Sequence, residues 1–235
     1  DVDFVLAGGV DTCIIPEIIH GFENMNATIK IKHGDRAFDN PAQASRPFSA
    51  DRRGFVLSEG AGVIVLAADD MVEHYGLTPR AEVLGIGWNS DAHHITRPNK
   101  ETIVRCIRMS IEDAGLETRD IQYVNAHGTS TPKGDITEVE CLREVFGNHL
   151  EKMPVSSNKS QIGHTLGGAA AIEAAFAIEG MRRGIILPTV NHIPDPEMDG
   201  VDVVPNEARR QNHELILSNS FGFGGTNCCV VFRGV

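Results

Sequence analysis

The sequence predicts a layered α/β fold, and three features carry that prediction. From residue 81 onward, short apolar runs alternate with amphipathic stretches of helical period, the arrangement that buries a sheet beneath helices. Two further apolar runs, 215–220 and 228–232, flank the glycine-rich Phe-Gly-Phe-Gly-Gly-Thr of 221–226. Two histidines, His127 and His164, each follow a short strand-like run and precede a helix-like pattern. In an open α/β sheet that places both imidazoles at the carboxyl ends of strands.

Taken in order, residues 2–7 read as a buried strand ended by Gly8-Gly9, and 14–22 as a short helix with apolar residues four apart. Residues 26–53 are polar and without period, which reads as a long surface loop. Runs 54–57 and 62–66 read as a strand pair around the turn 58–60, followed by a helix over 69–75 that Gly76 ends. Then come a strand over 81–87 and a helix over 100–114, with Ile103, Ile107 and Ile111 on one face and Gly115 closing it. A strand over 123–126, a helix over 135–146 and a strand over 153–157 lead into a long helix over 163–183, rich in Gly and Ala. The chain divides into residues 1–80 and residues 81–235, the second unit carrying both histidines.

Bulk properties narrow the function. An apolar content of 41% with 23% charged residues suits a folded soluble protein. A net charge of −11 argues against nucleic acid as a partner, since phosphates need a clustered basic face. Lys30, Lys32, Arg36, Arg46, Arg52 and Arg53 do sit close in sequence, as either a solvated loop or a docking patch for an acidic partner. The five cysteines (13, 106, 141, 228 and 229) are odd in number and lack Cys-x-x-Cys spacing. They read as packing residues in a reducing compartment, not as disulfides or a metal site. His93 and His94 are adjacent, so their rings diverge and hold no metal together. The longest apolar run, 166–178, is interrupted by Glu173, which argues against a membrane span and leaves a cytoplasmic location as the expectation. The chain opens directly into a strand, so it is expected to be a piece of a longer polypeptide.

Three motifs carry the chemistry: Asn125-Ala126-His127-Gly128-Thr129-Ser130-Thr131, Asn158-Lys159-Ser160 with Gly163-His164, and Asn219-Ser220-Phe221-Gly222-Phe223-Gly224-Gly225-Thr226-Asn227. Two neutral imidazoles at one site can donate hydrogen bonds to a single developing oxyanion. With Ala44-Ser45-Arg46-Pro47-Phe48 and the segment 54–62, these motifs resemble β-ketoacyl-acyl carrier protein synthases. The likeness is to the elongating condensing enzymes (the synthase I/II group) and to polyketide ketosynthase domains, and it extends over nearly the whole chain. It implies a thiolase-like layered αβαβα architecture. Residues 1–80 would be the end of its N-terminal half, with a docking loop, and residues 81–235 its C-terminal half, with the His/His/Lys site.

The resemblance also implies the reaction, a decarboxylative Claisen condensation of an acyl thioester with malonyl-acyl carrier protein in fatty-acid or polyketide elongation. His127 and His164 would stabilise the enolate, and Lys159, paired with Glu173, would orient the site around His164. By position alone, without the motif, Lys159 reads as a solvated loop charge. Phe223 would lend its N–H to an oxyanion hole and act as a gate; a tight turn explains the glycines around it almost as well, though not two exposed phenylalanines, Phe221 and Phe223. Thr129 and Thr131 would bind the amide arm of the pantetheine linker, or cap the next helix. Phe22 would wall an acyl pocket, or lie in the core, and the segment holding His93-His94 would belong to the substrate channel. The acyl-accepting cysteine is expected upstream of residue 1, so the chain alone is expected to be inactive. No cofactor is implied, because phosphopantetheine arrives on the carrier protein. The implied partners are that carrier, the N-terminal part of the same enzyme and a second copy in a homodimer. The loop at 28–40 is longer and more charged than in bacterial fatty-acid elongating enzymes. Two alternatives remain: a non-catalytic chain-length partner subunit, and a thiolase-like acyltransferase using Cys228 or Cys229 as a base.

Overall fold

The computed structural model describes residues 2–235. Its first strand, β1 (Phe4–Asp11), pairs antiparallel with β2 (Gly60–Ala67), and Gly9 lies opposite Gly62. Between them run α1 (Pro16–Asn24) and the single-turn α2 (Arg36–Asp39). Helix α3 (Asp69–Tyr75) ends at Gly76, whose φ of 59° is the left-handed stop read from the sequence. The second series is β3 (Ala81–Ser90), α4 (Lys100–Asp113), β4 (Tyr123–Asn125), α5 (Pro132–Phe146), β5 (Val155–Ser156), α6 (Lys159–Ile162) and α7 (Ala169–Arg183). A small β6 (Ile185–Ile186) and β7 (Arg209–Arg210) pair together before β8 (Leu215–Phe221) and β9 (Thr226–Gly234).

Five strands form one mixed sheet in the order β3-β9-β8-β4-β5. Strand β4 runs parallel to β5 and β8, while β9 is antiparallel to β8 and β3. Helices α4 and α5 pack together on one side of this sheet, and α7 lies between it and the β1–β2 ribbon. The core forms between sheet and helices, where Ile103, Ile107 and Ile111 meet Val124, Leu142 and Val231. Small residues set the layer spacing: a Cβ on Gly87 would stand 2.0 Å from the Cys106 carbonyl oxygen, and one on Gly62 would stand 2.7 Å from the Ile172 nitrogen. This is the layered α/β fold read from the alternation of elements.

Four sequence readings need correction. Gly8-Gly9 do not end the first strand but lie within it, because a bare backbone is needed where Gly9 meets Gly167. That strand is not buried either: Leu6, Val10, Val63 and Val65 are all at least 65% exposed on the face turned away from α7. Segment 54–57 does not pair with 62–66; Phe55 bridges to Thr28 and Leu57 to His164. The long helix read over 163–183 is broken, since Gly163 has φ 73° and Leu166 φ 44°. His164 instead pairs its backbone with Val56 and Ser58, at 2.7 and 3.1 Å, which a helix could not allow.

The fourth concerns residues 26–53, which are a surface loop only in part: residues 30–34 and 38–42 are exposed, but 44–49 are buried. Arg46, Phe48 and Ser49 are fully buried. Arg46 grips the Asp35 carboxylate with two bonds of 2.9 and 2.6 Å, Arg36 binds Asp51 at 2.9 and 3.0 Å, and Arg52 pairs with Asp195. Three of the six clustered cations are therefore ion-paired, Arg46 and Arg52 inside the fold and Arg36 half-buried, and are not free to form a docking patch. The Arg46 guanidinium holds Asp35 well below the usual carboxylate range. Asp35→Ala, which leaves a buried guanidinium without its main counter-charge, is expected to cost about 3–5 kcal/mol in urea unfolding; a loss below about 1 kcal/mol would show the pair to be dispensable. Because the unfolded carboxyl titrates near about 3.9, the pair's contribution is present above that pH and declines below it.

Candidate active site

His127 leaves the carboxyl end of β4, whereas His164 sits in the break between α6 and α7 rather than directly on a strand end. The fold brings the two rings together edge to face, with centroids 5.5 Å apart and planes at 84°. Both line a cavity of about 930 Å³, together with Thr129, Thr131, Phe22, Phe221 and Phe223.

The backbone of His127 is held from two sides. Its N–H donates to Glu138 Oε1 at 2.9 Å, and the next N–H, of Gly128, donates to Oε2 at 2.7 Å. Its carbonyl accepts from Lys159 Nζ at 2.7 Å. Lys159 is 1% exposed and also donates to Glu173 Oε1 at 2.5 Å. The ammonium thus holds the backbone of His127 directly, while its charge also acts on His164. His164 is fixed by its own chain: its Nδ1 accepts the Leu166 N–H at 3.3 Å, which assigns the ring proton to Nε2 and makes that atom a donor. The ring of Phe55 stands edge-on to His164 at 5.2 Å, and Phe221 flanks His127 at 5.5 Å.

Burial and the Lys159 charge both oppose protonation of the imidazoles. They hold His164 down to about 3, and they hold His127, with His164 beside it, well below its ordinary value. Both rings are therefore neutral at physiological pH. Burial pushes the Glu138 carboxyl up, against the three N–H donors that stabilise its charge, the third being Asn219 Nδ2 at 3.2 Å.

The hydroxyls of Thr129 and Thr131 lie 3.0 Å apart. Thr131 precedes the first residue of α5 and lines the cavity, and its side chain caps no helix N–H. Phe22 is a cavity wall and not a core residue, with rings of Phe55 and Phe223 at 5.4 and 5.6 Å. Phe223 is 44% exposed in the turn between β8 and β9, where Gly224 and Gly225 have φ of 79° and 81°. Phe221 differs from it: it is half-buried and packs on the core. Cys13, Cys106, Cys141 and Cys229 are buried as packing residues, but Cys228 borders the cavity, its thiol raised by burial. His94 lines the cavity as well.

Sequence reasoning missed Glu138 and Phe55. The signal for Glu138 was a carboxylate next to Val139 on the buried face of α5, one turn after Asp135. A buried acid there has to answer a nearby donor.

Comparison with known proteins assigns the class. Residues 1–71 match the family described as "Beta-ketoacyl synthase, N-terminal domain", and residues 80–192 match "Beta-ketoacyl synthase, C-terminal domain". The chain belongs to the β-ketoacyl synthase family. It is 40% identical to the 3-oxoacyl-[acyl-carrier-protein] synthase 2 of Coxiella burnetii, over 100% of this chain and 56% of that protein. The Rhizobium meliloti protein of the same name is 41% identical over 99% of this chain and 54% of its own length. The chain thus spans a little over half the length of these relatives. Among solved structures, a β-ketoacyl synthase from Burkholderia phymatum superposes with a TM-score of 0.91 at 40% identity, over 99% of this chain and 55% of that one. A type II polyketide ketosynthase, solved with its acyl-carrier protein and a bound hexaketide, gives 0.94 at 32% identity, over 100% and 57%. The fold is thiolase-like, as in these ketosynthases.

With both pKa values depressed, ring nitrogen shifts of His127 and His164 followed by NMR are expected to stay at neutral values from pH 8 to pH 5. A titration of either ring near about 6.5 would contradict the neutral-donor geometry. The unfolded chain binds protons at both positions below about 6.5 while the folded chain does not, so each ring lowers stability as pH falls through that range.

Proposed function

We propose that this chain carries the decarboxylating site of a β-ketoacyl-acyl carrier protein synthase that elongates fatty-acid or polyketide chains. One observation carries the reading: two neutral, buried imidazoles meet at 5.5 Å in a single cavity, one of them gripped through its backbone by Lys159 and Glu138. A malonyl thioester bound there loses its carboxylate as carbon dioxide. The bonding pair moves onto the thioester carbonyl, and the resulting enolate oxygen accepts hydrogen bonds from His127 and His164. Neutral donors fit this task, because their interaction strengthens as the oxygen becomes charged. The enolate carbon then attacks an acyl thioester, forming the new carbon–carbon bond and releasing a thiolate.

The acyl-bearing thiolate is assigned to polypeptide other than these 235 residues. Four of the five cysteines are buried in packing positions, and burial disfavours ionisation of Cys228. The same property counts against a thiolase-like role for Cys228 as a base. Retention of both histidines and Lys159 in working geometry counts against a non-catalytic partner subunit. Thr129 and Thr131 would bind the pantetheine amides, Phe223 would contribute an oxyanion N–H and gate the cavity, and Phe22 would meet the acyl chain. The reading brings with it an acyl carrier protein as partner, in keeping with the carrier complex of the polyketide neighbour. It also implies no cofactor beyond the arm the carrier brings, a homodimer and a cytoplasmic setting.

In the thiol-bearing enzyme, His127→Ala and His164→Ala are each expected to cut release of labelled carbon dioxide from malonyl carrier by at least about 10²–10³-fold. Decarboxylation at the parental rate in either variant would refute the pairing. The 235-residue chain by itself is expected to condense nothing, and turnover by it would overturn the thiol assignment.

A further inference from the structure

Two of the five thiols lie against each other between α4 and the main sheet. Cys106 on α4 and Cys229 on β9 are both fully buried and hydrogen-bonded sulfur to sulfur. Cys106 also donates to the Gly87 carbonyl at 3.2 Å, and Gly87 is the cross-strand neighbour of Cys229. The missing side chain at Gly87 is what lets α4 settle here, since a Cβ would strike the Cys106 carbonyl. Gly85 seats the same helix a turn later, where a Cβ would stand 2.4 Å from the Ser110 carbonyl oxygen. Helix and strand thus already stand close enough for the sulfurs to touch, the geometric condition for bridging them.

The other cysteines are not placed to compete. Successive strand residues face opposite ways, so Cys228 borders the main cavity on the far side of the sheet. The Cys141 thiol is turned to the Lys100 carbonyl at 3.6 Å. The touching pair is also asymmetric. Cys106 accepts from the Cys229 thiol and from the backbone N–H groups of Cys229 and Asn89, which draws it below the ordinary thiol range. Burial and the bond to Cys106 push the Cys229 thiol well up. One sulfur is readied as a nucleophile while the other keeps its proton.

We propose that Cys106 and Cys229 form a redox modification site, which a peroxide converts to a disulfide that staples α4 to β9. The Cys106 thiolate attacks one peroxide oxygen and the O–O bond breaks. The departing hydroxide takes up the proton that Cys106 gave on ionising, leaving water and a sulfenic acid on Cys106. The Cys229 sulfur then attacks the Cys106 sulfur, and the hydroxyl leaves with the Cys229 proton as a second water. Two thiols and one peroxide thus give one disulfide and two waters, and an external dithiol reverses the change. Hydrogen peroxide is uncharged and little larger than water, and β3, on which α4 sits, is an edge strand. Local opening at that edge admits it.

The staple falls beneath the turn that carries Phe223. Asp91 ties that turn to α4, accepting from Asn227 Nδ2 at 2.6 Å and from the Thr102 hydroxyl. Cys106 is one helical turn past Thr102, and Cys229 is two residues past Asn227. The disulfide would close a loop of about 120 residues, long enough to restrict the unfolded chain strongly.

The test treats the reduced 235-residue chain with equimolar hydrogen peroxide and maps its peptides without reductant. The chain is expected to lose the mass of two hydrogens, to yield one cross-linked peptide pair holding Cys106 and Cys229, and to recover both thiols in dithiothreitol. Its melting temperature should rise by at least about 4 °C on oxidation. Cys106→Ala and Cys229→Ala should each abolish the cross-link and the rise, whereas Cys228→Ser keeps both. In Cys229→Ala the stranded sulfenic acid should be trapped by dimedone on Cys106. The map of the unsubstituted chain decides the pairing even where a variant is too unstable to purify. Two thiols that survive peroxide, a cross-link through Cys228 or Cys141, or trapping on Cys228 alone overturns the site. A Cys106–Cys229 cross-link that leaves the melt unchanged or lowers it overturns the staple.

Discussion

A buried ammonium organises the site. Lys159 has almost no contact with water, and taking its charge out of solvent costs several kcal/mol before partners are counted. Glu173 on α7 offsets that cost directly, and the His127 carbonyl takes a second N–H. One side chain on α6 thereby ties the loop after β4 to the helix that separates the two sheets. The same charge acts at a distance on both imidazoles, holding them neutral where a proton would convert each from a tunable donor into a fixed cation. Structure and electrostatics here have one source.

The second support is ionic as well, and it lies where a flexible loop was expected. Asp35, Arg46, Asp51 and Arg36 make a lattice beneath the segment leading to Phe48, whose ring fills the space left by Gly128. Phe48 has φ of 60°, unusual for an aromatic residue, and its N–H is held by Asp135 at 2.8 Å. Such a conformation persists only when its surroundings over-determine it. Arg52 extends the lattice to Asp195, so the segment is clamped between α5 and the chain that precedes β7.

Much of this was legible in the sequence, and what was not has a common cause. The period of Ile103, Ile107 and Ile111, the stop at Gly76 and the three site motifs are local signals, and the elements they predict are present. The errors arose where distant partners decide. Arginines look like surface residues until a carboxylate eleven or more positions away is brought to them. Glycines look like strand ends when a helix from another part of the chain needs their bare backbone. A helical composition around His164 yields to two backbone bonds from residues 56 and 58, which no window of sequence contains. Glu138 was hidden for the same reason: the two backbone N–H groups it serves lie ten and eleven residues back, and its third donor, Asn219, lies 81 residues on.

The β1–β2 ribbon has a further consequence, for behaviour in solution. Its outward side chains, among them Leu6 and Val63, are larger and more apolar than the glycines it turns toward α7. Copies of a strongly anionic chain repel one another, and added electrolyte weakens that repulsion within about 10 Å at 0.1 M. Salting-out anions meanwhile strengthen attraction between greasy surfaces. The isolated chain should therefore remain best dispersed in dilute buffer and cluster as sulfate is added, the reverse of a protein whose contacts are ionic.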